Sequence, residues 1–231
     1  MAAQGGQLSS HSSEDDEASK VHQFKVVILG DGSVGKSSIS LRLSKDEFKD
    51  SYRQTVGLDF FLKQIQLPDD VLVSLQTWDI GGQSLGSKML GAYISGAQAV
   101  LLVYDITSYE SFENLRDWHT LAQRACGPAV PVFLVGNKSD LAHARAVKVK
   151  PHETMAADLE AASFFVSAKT GDGVTAMFTR IAAQLAGVDI KRVEVAARAT
   201  VATAKVVNHP AYDPDAPETP HAVSKKKCSI M

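Results

Sequence analysis

Apolar residues fall along this chain in short dense runs separated by longer stretches of mixed polarity. The first run is Phe24-Lys25-Val26-Val27-Ile28-Leu29, β-branched and apolar, and Gly30 stops it. Runs of strand length follow at residues 58–66, 71–78, 99–104, 131–136 and 163–167. Between them, helical patterns occupy residues 35–44, 84–95, 110–124, 151–161 and 173–187. Residues 99–104 and 131–135 are apolar throughout, which suits strands of a parallel sheet covered on both faces. Residues 58–66 and 71–78 are separated by the turn-forming Leu67-Pro68-Asp69-Asp70 and read as a hairpin. The pattern predicts an α/β domain: a six-stranded, mostly parallel sheet with one antiparallel strand, flanked by five helices.

The pattern fades at both ends. Residues 1–21 are rich in Gly, Ser and acids and predict a disordered extension to a domain spanning 22–188. Residues 189–231 read as a variable tail with four prolines between Asn208 and His221 and one helical segment near 191–205. The 231 residues are 45% hydrophobic and 22% charged, an ordinary globular composition. A net charge of -2 argues against a nucleic-acid partner held by charge alone. With cysteine only at Cys126 and Cys228, a disulfide framework is implausible and a reducing compartment fits. No stretch approaches the roughly 20 apolar residues of a spanning helix, so membrane contact would need an anchor.

Chemistry enters where the first strand ends. Gly30-Asp31-Gly32-Ser33-Val34-Gly35-Lys36-Ser37 matches the phosphate-binding pattern G-x-x-x-x-G-K-[ST], placed between a strand and a helix. Its glycines let the backbone wrap tightly, so that N–H groups from Gly32, Ser33, Val34 and Gly35 through Ser38 point at phosphate oxygens. The helix start adds its positive dipole end. Lys36 supplies a cation for the outer phosphates, and the Ser37 hydroxyl is a ligand for Mg²⁺. Asp79, at the end of residues 71–78, falls where a P-loop protein holds the metal. Gly82 brings a backbone N–H towards the terminal phosphate.

The base is read elsewhere. Asn137-Lys138-Ser139-Asp140 follows a buried strand, and the Asp140 carboxylate can accept from both N1–H and the exocyclic amine of guanine. Adenine offers no such donor pair, and an unpaired buried carboxylate is costly, so one residue discriminates strongly. The stem of Lys138 can cover one face of the base. Ser167-Ala168-Lys169, after the last strand, can present a backbone N–H to guanine O6.

Together GDGSVGKS, a threonine, WDIGGQ, NKSD and SAK resemble the Ras superfamily of small GTPases over residues 24 to about 188. Thr55-Val56-Gly57-Leu58-Asp59-Phe60 and the run LLVYDIT at 101–107 are similar to the Rab family, and to a divergent branch of it. The resemblance implies a P-loop G domain that binds GTP and GDP with Mg²⁺ and hydrolyses GTP slowly. It implies Thr55 as a switch I metal ligand beside Ser37 and Asp79, and Gln83 as the residue that orients the attacking water. It further implies Phe48 stacked on the guanine and Tyr52 over the phosphates. Exchange factors, GTPase-activating proteins and effectors would engage switches I and II. Phe60, Trp78 and Tyr93 match an exposed aromatic triad that such effectors read, or are ordinary core and edge-strand aromatics.

Two departures stand out. Rab proteins usually read WDTAGQE, whereas Ile80, Gly81 and Ser84 stand here, and Gly81 loosens the backbone beside Gln83. A nucleotide-bound adaptor that barely hydrolyses is therefore the second reading, and an ATP-dependent kinase or ATPase sharing the P-loop the third. The other departure is a single terminal cysteine. Cys228-Ser229-Ile230-Met231 fits a prenylation box favouring farnesyl, with Lys225-Lys226-Lys227 adjacent. Attachment to the cytoplasmic face of a membrane would then be extractable, with a prenyl-binding chaperone as partner. The family branch implies traffic at an endosome or at the base of a cilium.

Overall fold

The computed structural model describes residues 21–51, 53–82, 89–191 and 193. Six strands form one sheet: β1 (Val21–Leu29), β2 (Leu58–Gln66), β3 (Leu72–Ile80), β4 (Ala99–Asp105), β5 (Val132–Asn137) and β6 (Ala162–Phe165). Their order is β2-β3-β1-β4-β5-β6. All neighbours run parallel except β2 and β3, which pair antiparallel from Leu58↔Ile80 to Gln66↔Leu72. The hairpin turn uses Asp69 and Asp70 at φ 61° and 55°, a left-handed conformation that short acidic side chains tolerate. Leu67 N–H closes it on the Val71 carbonyl at 2.9 Å.

The helices are α1 (Lys36–Lys45), α2 (Leu90–Ile94), α3 (Tyr109–Glu113), α4 (Leu115–Cys126), α5 (Val149–Asp158) and α6 (Val174–Ala186), with a 3₁₀ turn at Ser139–Ala144. Six α-helices among the described residues replace the five expected. The run expected over 110–124 divides at Asn114, whose N–H is shared between the carbonyls of Glu110 and Phe112. That tightened bonding ends one helix before the next begins. Part of the helix expected at 84–95 lies outside the described residues. No helix among the described residues is long and apolar enough to cross a membrane.

The apolar runs become two cores because successive strand residues point to opposite faces. Val26, Ile28, Leu101, Val103, Phe133 and Val135 face α1 and α6. Val27, Leu29, Val100, Leu102, Val132 and Leu134 face α2, α4 and α5. Every side chain of β4 is buried, which is why its sequence shows no alternation.

Both ends of the domain extend past their expected limits. β1 begins at Val21, earlier than the apolar run because Val21 to Phe24 is only partly covered. At the other end Val188 and Ile190 pack on the first core and Val193 is buried there, so packing continues beyond 188. Residues 190, 191 and 193 are helical, and the rest of 191–205 lies outside the described residues.

Candidate functional site

The chain leaves β1 to pair it with β3 on one side and β4 on the other. Such a switch point opens a crevice at the carboxyl ends of the strands. The loop after β1, Asp79 on β3, Asp105 on β4, Asn137 on β5 and Ser167 after β6 all meet there. The crevice is a cleft of about 770 Å³, within the range of small-molecule sites.

The loop after β1 can take only its own path. A Cβ on Gly30 would sit 2.1 Å from the Val103 carbonyl oxygen, and Gly30 has φ 138°. Gly35, at φ 96°, caps α1, and the first intrahelical bond runs from Ile39 N–H to Gly35 O at 2.9 Å. The N–H groups of the first turn therefore have no partners within the helix. Gly32, Ser33, Gly35, Lys36, Ser37 and Ser38 line the cleft. Lys36 is buried and donates to the carbonyls of Gly30 at 2.7 Å and Asp31 at 2.6 Å. Burial lowers its pKa to about 8, against the opposing pull of Asp79 and Asp31, so it remains charged at neutral pH.

Below the loop lies an oxygen cluster. Ser37 Oγ donates to Asp79 Oδ2, and Ser37 Oγ and Thr55 Oγ1 hydrogen-bond at 2.8 Å. Asp79 is fully buried, and its Oδ1 has no hydrogen-bond partner. Burial raises its pKa, offset in part by the bond from Ser37. An orphaned buried carboxylate oxygen beside two hydroxyls fits a small hard cation, whose ligands are oxygens. Switch I is drawn onto the end of β3 at the same place: Gly81 N–H donates to Gly57 O at 3.1 Å. A Cβ on Gly82 would meet Gly32 N at 2.2 Å, so the two loops touch by backbone alone.

The base end is held from several elements. Asn137 Nδ2 donates to Val34 O at 2.8 Å, and Asn137 Oδ1 accepts from Ala168 N–H at 3.1 Å. Within the Ser167-Ala168-Lys169 run expected to present an N–H to the base, the Ala168 N–H bonds Asn137, whose buried carboxamide needs both a donor and an acceptor as partners. Asp140 Oδ1 accepts from Ser167 Oγ at 2.6 Å. Lys138, at φ 65°, reaches Asp105 Oδ2 at 2.6 Å. Asn137, Lys138, Asp140, Ala168, Lys169 and Phe48 line the cleft. Val34, Asp79 and Ser167 are absent from the lining and instead hold residues that form it.

Tyr52, Gln83 and Cys228 lie outside the described residues. Of the aromatic triad, Phe60 is 53% exposed, with its ring edge-on to Trp78 at 6.0 Å. Trp78 and Tyr93 pack partly into the second core, so the expected exposed cluster reduces to one open ring.

Sequence reading missed Asp105, whose only signal was an acid closing an apolar strand. It also missed Arg42, which donates to the carbonyls of Ala168 at 3.0 Å and Lys169 at 2.7 Å and so fixes the loop after β6. A lone arginine on an amphipathic helix carries no signal of that task.

A family model described as the Ras family matches residues 25–187. The chain is 41% identical over 200 residues to the Ras-related protein Rab-28 of Caenorhabditis elegans, covering 85% of this chain and 80% of that protein. The P-loop, the oxygen cluster and the base-end asparagine and aspartate all fall within the matched residues. The chain belongs to the Ras family of small GTPases and, within it, to the Rab GTPases.

Proposed function

We propose that this GTPase is a Mg²⁺-dependent switch that recruits effectors in membrane traffic, with Asp140 as the reader of guanine. The observation that carries it is the convergence of Lys36, Ser37, Thr55 and Asp140 on one cleft, with the buried Asp79 bonded to Ser37. Ser37, Thr55 and Asp79 would hold Mg²⁺, which supplies neutralisation of phosphate charge. Gly32, Ser33, Val34, Gly35 and Ser38 line or brace the phosphate end, and Gly82 approaches the last phosphate. Lys36 holds the outer phosphates, and Gln83 orients the water. Phe48, Asn137, Lys138, Ser167, Ala168 and Lys169 enclose the base, and Tyr52 covers the phosphates.

Thr55 is the hinge of the switch. Its hydroxyl reaches the oxygen cluster only while residues 55–57 lie against Gly81, so loss of the γ-phosphate releases switch I. Exchange factors, activating proteins and effectors read that difference. Cys228 carries a prenyl group that returns the protein to an endosomal or ciliary-base membrane, reversibly and with a prenyl-binding chaperone.

Chromatography of the nucleotide released on denaturing the purified protein tests the pocket. Wild type is expected to carry near-stoichiometric GDP or GTP. Asp140→Asn replaces an acceptor by a donor facing guanine and should weaken binding by roughly 10⁴-fold, emptying the site. Adenine nucleotide in wild type, or undiminished guanine nucleotide in the mutant, would refute this reading.

A further inference from the structure

The break between α3 and α4 is where a helix meets the phosphate loop. Asn114 keeps helical angles there, φ -63° and ψ -14°, and its Nδ2 donates to Asp31 Oδ2 at 2.7 Å. One turn on, the fully buried Trp118 donates its indole Nε1–H to Asp31 Oδ1 at 2.8 Å. Residues four apart lie on one helix face, so α4 grips both carboxylate oxygens of one P-loop residue. Bonds to an ionised acceptor are the stronger kind. The donors are neutral, which leaves the Asp31 charge free to act on Lys36.

The carbonyl of the same residue matters more. Asp31 O accepts from Lys36 Nζ at 2.6 Å. A Cβ on Gly82 would lie 2.3 Å from the Asp31 carbonyl carbon, so this peptide also abuts the start of switch II. Leu115, Trp118 and Ala122 bury α4 in the second core, which makes it a rigid support. A site group held by a packed element costs less reorganisation on binding.

We propose that Asn114 and Trp118 are positioning residues for nucleotide retention: through Asp31 they fix the P-loop peptide that orients Lys36. The inference rests on the guanine-nucleotide site described above. Asn114 and Trp118 both reach Asp31 from the start of α4.

The test is the release rate of a fluorescent GDP analogue from the full chain in Mg²⁺ buffer, beside the thermal midpoint of each variant. Trp118→Phe keeps an aromatic ring and removes the N–H, and release is expected to quicken about tenfold. Asn114→Ala moves the same way. Asp31→Ala removes both bonds, so adding Trp118→Phe to it should give no further acceleration. Leu121→Ala, on the same helix and packed on the same core, lowers the midpoint but leaves release unchanged. The proposal is overturned if Trp118→Phe releases within about twofold of wild type, if Leu121→Ala matches it, or if the double variant is additive. Wild type without bound guanine nucleotide would overturn the site reading as well. Wild type that retains it while Trp118→Phe releases no faster overturns this inference alone.

Discussion

One methyl group separates Gly81 from the alanine usual in Rab proteins, and the backbone around it leaves no room for one. A Cβ there would stand 2.5 Å from the Thr55 carbonyl oxygen, a backbone atom that cannot step aside as a side chain would. Read from sequence, Gly81 is a loosened backbone; in the fold it is a point of close approach between switch I and the end of β3. Gly81→Ala should therefore disfavour the arrangement that keeps Thr55 in the oxygen cluster. Overpacking of this kind costs about 1–3 kcal/mol, so GTP should leave the mutant roughly tenfold faster while GDP release changes little. Equal release of GTP from mutant and wild type would show that switch I does not bear on Gly81. Lys36, Asp79 and Asp140 were legible as candidates because spacing patterns single them out, and the fold sets Lys36 and Asp140 in the cleft and Asp79 beside Ser37. Asp105 and Arg42 were not, since each works by reaching a partner far away in sequence.

At the scale of elements, α5 docks on the sheet through a buried polar pair. Tyr104 of β4 and His152 of α5 hydrogen-bond at 3.0 Å, and the His152 ring lies 4.2 Å from that of Phe165. His152 Nε2 is buried without a partner. Burial, and then the nearby Arg145, push its pKa down to about 4 from the ordinary 6.5. The folded state therefore holds this histidine neutral, while the unfolded chain takes up a proton below pH 6.5. Its contribution to stability is whole above pH 6.5, falls as the pH drops towards 4, and is constant below that. Urea midpoints measured down this window should decline in wild type more steeply than in His152→Gln. Parallel slopes would place the acid sensitivity elsewhere. The sequence hid this pair because a histidine within an amphipathic helix shows no sign of which face it takes. The division of 110–124 at Asn114 was hidden for a related reason: the residues are helix-compatible throughout, and the break is tied to a partner in another loop.

For the whole molecule, the proposed role lies at a membrane, and none of the described helices is long and apolar enough to cross one. The proposed attachment rests on Cys228 and the three lysines before it, all outside the described residues. A single lipid chain gives marginal binding, and each lysine adds about 1 kcal/mol at an anionic surface. In cells, wild type is expected to divide between membrane and soluble fractions, with the membrane share lost on high-salt washing with a lipid-binding chaperone. Cys228→Ser should be wholly soluble while keeping its nucleotide. A Cys228→Ser protein that still pelleted with membranes would mean another anchor.

The chain alone determined the strand count, the antiparallel hairpin, the phosphate loop and the aspartate proposed to read guanine. These are local matters: apolar runs set strands, Asp69 and Asp70 permit the turn, and the glycine spacing of residues 30–36 dictates a loop. Tertiary structure decided which oxygens of Ser37, Thr55 and Asp79 meet, that Gly81 is a contact, that Arg42 holds the loop after β6, and that Asp31 is gripped from α4. Each of those joins residues 18 to 127 positions apart. Short-range preferences cannot encode such meetings, because they arise only when the sheet order brings the strand ends to one edge.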